Sequence, residues 1–111
     1  TMPGTFRVIA ENEGFFQFEY VNPKGDVLMT SPSFEGREMI DKAIQDTRVG
    51  SMMSQFIAKG QTPEGGLFFL IKDNSGLPVA RSILFSDEML FNNALHTVRD
   101  DACIAAVDYA S

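Results

Sequence analysis

The sequence superposes on itself when it is shifted by 51 residues, and no gap is needed between residues 14 and 99. Turn positions coincide with turn positions and apolar residues with apolar residues, which chance would not preserve together. The chain is therefore predicted to contain two diverged copies of one unit, at about 4–51 and 52–111. The identical pairs are Gly14 and Gly65, Phe18 and Phe69, Gly25 and Gly76, Ser31 and Ser82, Phe34 and Phe85, Ala43 and Ala94, and Arg48 and Arg99.

Each copy has the residue pattern of strands followed by a helix and a further strand. Apolar and polar residues alternate in the first strands, which is typical of a strand with one buried face. A Gly-containing turn follows and predicts a hairpin. The predicted strands are 6–10, 16–20, 26–31, 52–59, 67–71, 77–82 and 103–109, with helices at 37–48 and 88–99 and turns at 22–25 and 73–76.

The predicted strand 52–59 has two roles. It follows the first helix, and it also precedes Phe69 in the way that residues 6–10 precede Phe18. This sharing predicts exchanged strands, each copy's last strand pairing into the other copy's part of one sheet. Because a unit of about 50 residues is marginally stable by itself, we expect one domain over 1–111. The fold class is α+β, with a mainly antiparallel sheet and both helices on one face.

Each predicted helix has an apolar stripe at helical spacing, which should pack on the sheet. Gly50 is expected to end the first helix, Asp87 with Ser86 and Glu88 to begin the second, and Pro78 to favour an edge or bulged strand. The stripes are Met39, Ile40, Ala43, Ile44 and Thr47 in the first helix, and Leu90, Phe91, Ala94, Leu95 and Val98 in the second.

Residues 22–31, Phe34 and residues 43–48 together resemble the repeating unit of the YegP-like family of bacterial proteins. The second copy matches at Gly76, Ser82, Phe85 and residues 94–99. The chain departs from the family pattern where Phe replaces a common Tyr and Ala a common Gly. The resemblance implies a unit of three strands, a helix and a strand, used singly in dimers or in tandem in one chain. It implies no established activity, so it transfers no catalytic residue.

The net charge of −6 disfavours nucleic acids and anionic membrane surfaces as partners. Cys103 is the single cysteine, so no internal disulfide or cysteine-based zinc site is expected. The first residues lack the pattern of a signal peptide, and no apolar stretch approaches the roughly 20 residues that span a bilayer. We therefore expect a cytoplasmic protein that does not contact membranes.

Few residues suggest chemistry, and each has a simpler structural interpretation. His96 is expected on a helix surface, and Cys103 as a small buried hydrophobe in the last strand. The carboxylates at 35, 38, 41, 46, 100 and 101 are expected on solvated surfaces. Serines 31 and 82 and arginines 48 and 99 recur in both copies, so structural roles are favoured for them. No catalytic, metal-binding or cofactor-binding residue is predicted, and an enzyme is the less favoured interpretation.

The copies differ most sharply where Gln17 and Glu19 of the first are replaced by Phe68 and Leu70 of the second. The strand 67–71 is consequently apolar on both faces, which predicts burial of both. Phe68 and Leu70 would then form an interface with a protein partner or a second copy, unless a terminal segment near Pro3 covers them.

The leading functional hypothesis is accordingly a small, non-enzymatic protein-interaction module. The alternative is a small-molecule-binding protein or enzyme whose site lies in a crevice between the two copies. Binding of nucleic acid by the aromatic residues of the sheet is disfavoured by charge.

Overall fold

A computed structural model describes residues 3–109 of the chain. It contains eight strands and two α-helices, and a short 3₁₀ turn precedes β2, β5 and β8. The strands are β1 Thr5–Ala10, β2 Phe15–Val21, β3 Val27–Thr30, β4 Phe34–Glu35, β5 Ile57–Gln61, β6 Leu67–Lys72, β7 Pro78–Ser82 and β8 Ala106–Asp108, and the helices are α1 Arg37–Ser51 and α2 Glu88–Asp101.

Seven strands form one continuous sheet in the order β5-β6-β7-β3-β2-β1-β8, and β4 pairs with β2 beside this path. All neighbours are antiparallel except β1 and β8, which are parallel. The α+β class and the mainly antiparallel sheet are thus confirmed.

Both helices pack on the same face of the sheet. Phe91 of α2 contacts Phe69 of β6, with ring centroids 6.1 Å apart. Gly50 of α1 lies against Ile71, two residues further along β6 and therefore on the same face. Buried residues from both helices and five strands form a single apolar core, in which Phe6, Phe18 and Phe69 are fully buried.

The strands that follow the helices pair across the molecule. After α1, β5 pairs with β6, and after α2, β8 returns to pair with β1 at the opposite edge of the sheet. This is the arrangement expected of exchanged strands. The division into copies at 4–51 and 52–111 remains a prediction from the sequence.

Equivalent contacts recur 51 residues apart at the two hairpin turns. The Asn22 side-chain oxygen accepts hydrogen bonds from the backbone N–H groups of Lys24 and Asp26. The Asp73 carboxylate accepts the same two bonds from Ser75 and Leu77. Gly25 and Gly76 complete the turns with φ of 94° and 88°, a conformation that favours glycine. Both predicted turns are therefore present.

The ends of the elements differ from the sequence prediction. The predicted strands 52–59 and 103–109 begin as 3₁₀ turns at Ser54–Phe56 and Ala102–Ile104, and only β5 and β8 are extended. Gly50 does not end the first helix, because it lacks the positive φ of a glycine cap and the helix continues to Ser51. Pro78 lies in an interior strand, but at a register shift of the β6–β7 pair, which agrees with the bulged alternative of the prediction.

Two members of the predicted apolar stripes are not buried. Met39 and Leu90 are about half exposed, at 49% and 51%, whereas Ile40 and Phe91 beside them are buried. Both residues begin their stripes in the first turn of their helices. Leu90 faces a surface crevice.

Candidate binding site

A concave surface lies between the β2–β3 turn and α2, and we call it the open crevice. It has a volume of about 960 Å³. One wall is the hairpin turn at 22–28, the other is one side of α2, and the segment 83–86 between β7 and α2 joins them. Its lining comprises Asn22, Pro23, Lys24, Gly25, Asp26, Val27, Leu28, Ile83, Leu84, Phe85, Ser86, Leu90, Asn93, Ala94 and Thr97.

The open crevice has an apolar floor and an apolar rim. Leu28, Phe85 and Ala94 are buried beneath it and belong to the core. Leu84 and Leu90 border it with 54% and 51% of their surface exposed. Clustered exposed apolar side chains around a concavity are typical of a binding site.

Polar groups of the open crevice lie on both walls. Asn93 and Thr97 are four residues apart on α2, so they lie on one face of the helix. Neither side chain makes a hydrogen bond to another residue within 3–109, which leaves an amide and a hydroxyl for a ligand. On the turn, the Asn22 amide lies 3.4 Å from the Asp26 carboxylate.

The corresponding surface of the first copy, between α1 and the turn at 73–76, carries charged side chains, and we call it the bridged crevice. Lys42 and Asp46 of α1 stand where the second copy has Asn93 and Thr97, and their Nζ and Oδ2 atoms are 2.8 Å apart. The hydrogen bond and charge of Asp46 raise the pKa of Lys42, and Asp73 on the facing turn acts in the same direction. Lys42 thus forms its ion pair within α1, and Asp73 acts on it only through its charge.

Asp73 belongs to the same charged group. Its pKa is lowered, chiefly by the hydrogen bond from the Ser75 hydroxyl and with a contribution from the charge of Lys42. The pocket that contains Asp46 and Asp73 has a volume of about 90 Å³, far below that of the open crevice. Only Asp46, Asp73 and Asn74 of this small pocket occupy positions equivalent to the lining of the open crevice, so the two surfaces overlap in part.

Phe68 and Leu70 lie on the face of β6 opposite the helices, which we call the outer face. This follows from alternation, because their neighbours Phe69 and Ile71 contact the helices. Both residues are half-buried. The Phe68 ring lies over Gly60 of β5, and the Arg81 guanidinium lies 4.7 Å from its centroid.

The segment near Pro3 does not cover these two residues. Gly4 lies beside Tyr20 of β2, at the other side of the sheet, and β1 is four strands from β6. Met2 lies outside the described residues. Within 3–109, Arg81 and the neighbouring strand β5 supply the contacts described for Phe68.

The remaining candidates for chemistry lie apart from the open crevice. His96 is exposed on α2, and its Nε2 atom is 3.1 Å from the Asp100 carboxylate. Cys103 is partly exposed in a 3₁₀ turn rather than buried in a strand, because β8 begins later than predicted. Among residues 3–109, no group of three His, Cys, Asp or Glu side chains has the arrangement of a metal site.

The predicted structural roles of the repeated serines and arginines agree with their contacts. The buried hydroxyls of Ser31 and Ser82 accept hydrogen bonds from the N–H groups of Phe18 and Phe69. Arg48 donates to the carbonyl of Cys103, and Arg99 to the hydroxyl of Ser54. The arginines therefore connect each helix to the 3₁₀ turn after the other helix.

Solved structures with the same architecture identify the fold. The solution structure of UPF0339 protein SO3888 from Shewanella oneidensis superposes with a TM-score of 0.91, at 18% identity, over 97% of this chain and 92% of that one. The structure of yegP from Escherichia coli, titled a protein of unknown function, superposes with a TM-score of 0.90, at 17% identity, over 99% and 95%. The chain has a YegP-like fold.

The YegP-like fold rests on these structures and on the sequence pattern together. No protein-family model matches the sequence, and a search of curated proteins finds no match. Within residues 3–109 of this YegP-like chain, neither helix has the length and apolar character needed to cross a membrane.

Sequence reasoning missed the residues of the open crevice, although a signal for them exists. Ile83 and Leu84 replace Pro32 and Ser33 of the first copy at the same register. The alignment of the two copies, which distinguishes Phe68 and Leu70, therefore also shows these two replacements. They were overlooked because residues in a connecting segment do not reveal by periodicity which surface they border.

Proposed function

We propose that this YegP-like protein acts by binding a small molecule in the open crevice. The observation that carries the proposal is the crevice itself, about 960 Å³ in volume and bordered by the exposed side chains of Ile83, Leu84 and Leu90. Ligand sites are typically concavities of a few hundred to about 1,000 Å³ with an apolar lining and a few polar groups.

Binding without covalent chemistry fits the side chains that line the crevice. Its titratable members are Lys24 and Asp26, which both lie on one exposed turn. The hydroxyls of Ser86 and Thr97 have no histidine beside them in the lining to activate a nucleophile. A non-enzymatic role is part of the proposal.

A fragment library screened by two-dimensional NMR tests the proposal. We expect shifts of the Asn93 side-chain amide and of the Leu84 and Leu90 methyl groups on addition of binding fragments. The variant N93K/T97D introduces the side chains of the bridged crevice and should abolish these shifts. Fragments that perturb only other surfaces, or a library without any hit, would overturn the proposal.

Protein–protein contact through Phe68 and Leu70 is a second candidate function. Their position on the outer face, opposite both helices, favours it, since helices leave that face open to a partner. The occupant that we propose is a second copy of this chain. The apolar pair and the adjoining Ala58 and Gly60 would meet the same surface of the partner across a two-fold axis.

Sedimentation velocity over a range of concentrations tests this second function. The variant F68Q/L70E restores the first copy's side chains, and Thr30→Ala on the same face is its control. We expect F68Q/L70E to weaken self-association and the control to preserve it. A wild-type chain that stays monomeric at every concentration would rule out self-association through this face.

A further inference from the structure

We infer that the open crevice selects uncharged amphipathic molecules, which have an apolar body and a neutral hydrogen-bonding group. This inference deepens the proposed function and rests on it. Three features carry the inference: the loss of charge from the α2 wall, the free polar groups on α2 and the apolar rim.

The α2 wall of the open crevice is neutral where the α1 wall of the bridged crevice is charged, and the charges of the open crevice, Lys24 and Asp26, lie on the facing turn. At equivalent positions Lys42 is replaced by Asn93, Asp46 by Thr97 and Asp73 by Asn22, and Glu35 is replaced by Ser86. Each change removes a charge and keeps a hydrogen-bonding group. The α2 wall therefore keeps hydrogen-bonding groups and lacks the Lys42–Asp46 ion pair of α1.

The neutral groups face a ligand from a fixed position on the helix. Asn93 offers two donors and an acceptor, and Thr97, one turn later, offers a donor and an acceptor. Cβ atoms at this spacing are roughly 6 Å apart, so one ligand amide or hydroxyl reaches both. The apolar body would lie on Leu90 and Leu84 at the same wall.

The lining of the open crevice carries no net charge that would favour an anion or a cation. Lys24 and Asp26 have opposite signs and lie two residues apart on one turn, so their fields largely cancel at the facing wall. A charged group that leaves water without a partner costs far more free energy than a neutral amide that keeps its hydrogen bonds. Selection against both anions and cations follows.

A matched series of three probes tests the inference by NMR titration of the full chain. Octanamide, octanoate and octylamine share a chain length and differ in the charge of the head group. We expect octanamide to shift the Asn93 and Leu90 signals and to bind at least about tenfold more tightly than either charged probe.

Two variants test whether octanamide binds in the open crevice or elsewhere on the surface. N93K/T97D should lose octanamide binding and remain folded, since the same i,i+4 pair is present in α1. The control K42N/D46T alters only the bridged crevice and should keep wild-type affinity for octanamide at Asn93.

The outcomes distinguish the inference from the proposed function. Octanoate or octylamine that binds the open crevice as tightly as octanamide overturns the inference and leaves the proposed function standing. Failure of all three probes and of the whole fragment library overturns both.

Discussion

At the scale of single residues, Tyr20 is the most unusual side chain of the core. It is fully buried, and its hydroxyl finds no hydrogen-bond partner within residues 3–109, although the Gly4 backbone approaches it. Burial raises the pKa of the Tyr20 hydroxyl above its ordinary value of 10.0. The neutral form is therefore favoured in the folded state.

Tyr20→Phe removes the hydroxyl and retains the ring. We expect the free energy of unfolding near neutral pH to change by less than about 1 kcal/mol, because an unsatisfied group is lost. Above pH 10 the unfolded chain releases the Tyr20 proton first, so wild-type stability falls with rising pH.

Urea denaturation of Tyr20→Phe and wild type between pH 8 and 11 measures both effects. The variant should lose less stability than wild type above pH 10. Equal losses in the two proteins would show that Tyr20 titrates alike in the folded and unfolded states.

Ser31 and Ser82, which are identical residues at equivalent positions of the sequence, stabilise the fold through hydrogen bonds of their hydroxyls. Each hydroxyl accepts a buried backbone N–H and donates to a carbonyl, of Pro32 for Ser31 at 2.7 Å and of Ile83 for Ser82 at 2.8 Å. Replacing either serine with alanine leaves the backbone N–H of Phe18 or Phe69 without its hydroxyl acceptor. The free energy of unfolding should fall by roughly 1–3 kcal/mol.

Chemical denaturation of Ser31→Ala and Ser82→Ala checks this prediction, with exposed Ser86→Ala as the control. Similar losses are expected for the two buried serines and a change below about 0.5 kcal/mol for the control. Losses no larger than that of Ser86→Ala would contradict the structural role.

At the scale of elements, Gly50 controls how closely α1 approaches β6. A Cβ atom on Gly50 would lie 2.6 Å from the Ile71 Cγ2 atom and 3.1 Å from the Lys72 carbonyl oxygen. The helix itself prefers alanine to glycine by about 1 kcal/mol, but overpacking against a buried strand costs roughly 1–3 kcal/mol.

Gly50→Ala is therefore expected to lower the free energy of unfolding, as measured by thermal and urea denaturation. Val49→Ala, at a partly exposed position of the same helical turn, serves as the control and should have the smaller effect. A Gly50→Ala variant as stable as wild type would show that α1 moves away from β6 without cost.

Whether a segment forms a strand or a helix was predictable from the sequence where the spacing of apolar residues agrees with a turn signal. Phe16, Phe18 and Tyr20 alternate before the Asn22 turn, and β2 and the turn are present as predicted. Element ends were less predictable, because the 3₁₀ turns before β5 and β8 have no signal of their own. Gly50 was misinterpreted because a C-terminal glycine and a close-packing glycine look alike in sequence.

The candidate site was less predictable than the fold, since it depends on side chains from three separate segments. Leu90 matched the spacing of a buried stripe, yet its side chain is half exposed and borders the open crevice. The charge differences at Asn93 and Thr97 are visible in the sequence. Their relation to a binding site becomes clear only when the structure places the turn at 22–28 opposite α2.

At the scale of the whole molecule, one core joins both halves of the chain. Phe6 and Val98, from opposite ends of the sequence, belong to the same buried cluster, and β8 completes the sheet beside β1. This shared core therefore predicts one cooperative unit rather than two independently stable halves.

Equilibrium unfolding followed residue by residue with NMR tests this cooperativity. Signals from Phe18 and Phe69, at equivalent positions of the two copies, should disappear with the same midpoint in urea. Two separate midpoints would indicate that the copies unfold independently and would contradict a single domain.

The open crevice as the binding site is the central claim, and intermolecular NOEs test it most directly. With the tightest-binding library fragment, we expect NOEs to the methyl groups of Leu84 and Leu90 and to the Asn93 side-chain amide. NOEs to Phe68 and Leu70 on the outer face, or to Met39 beside the bridged crevice, without any to Leu84 and Leu90, would contradict the claim.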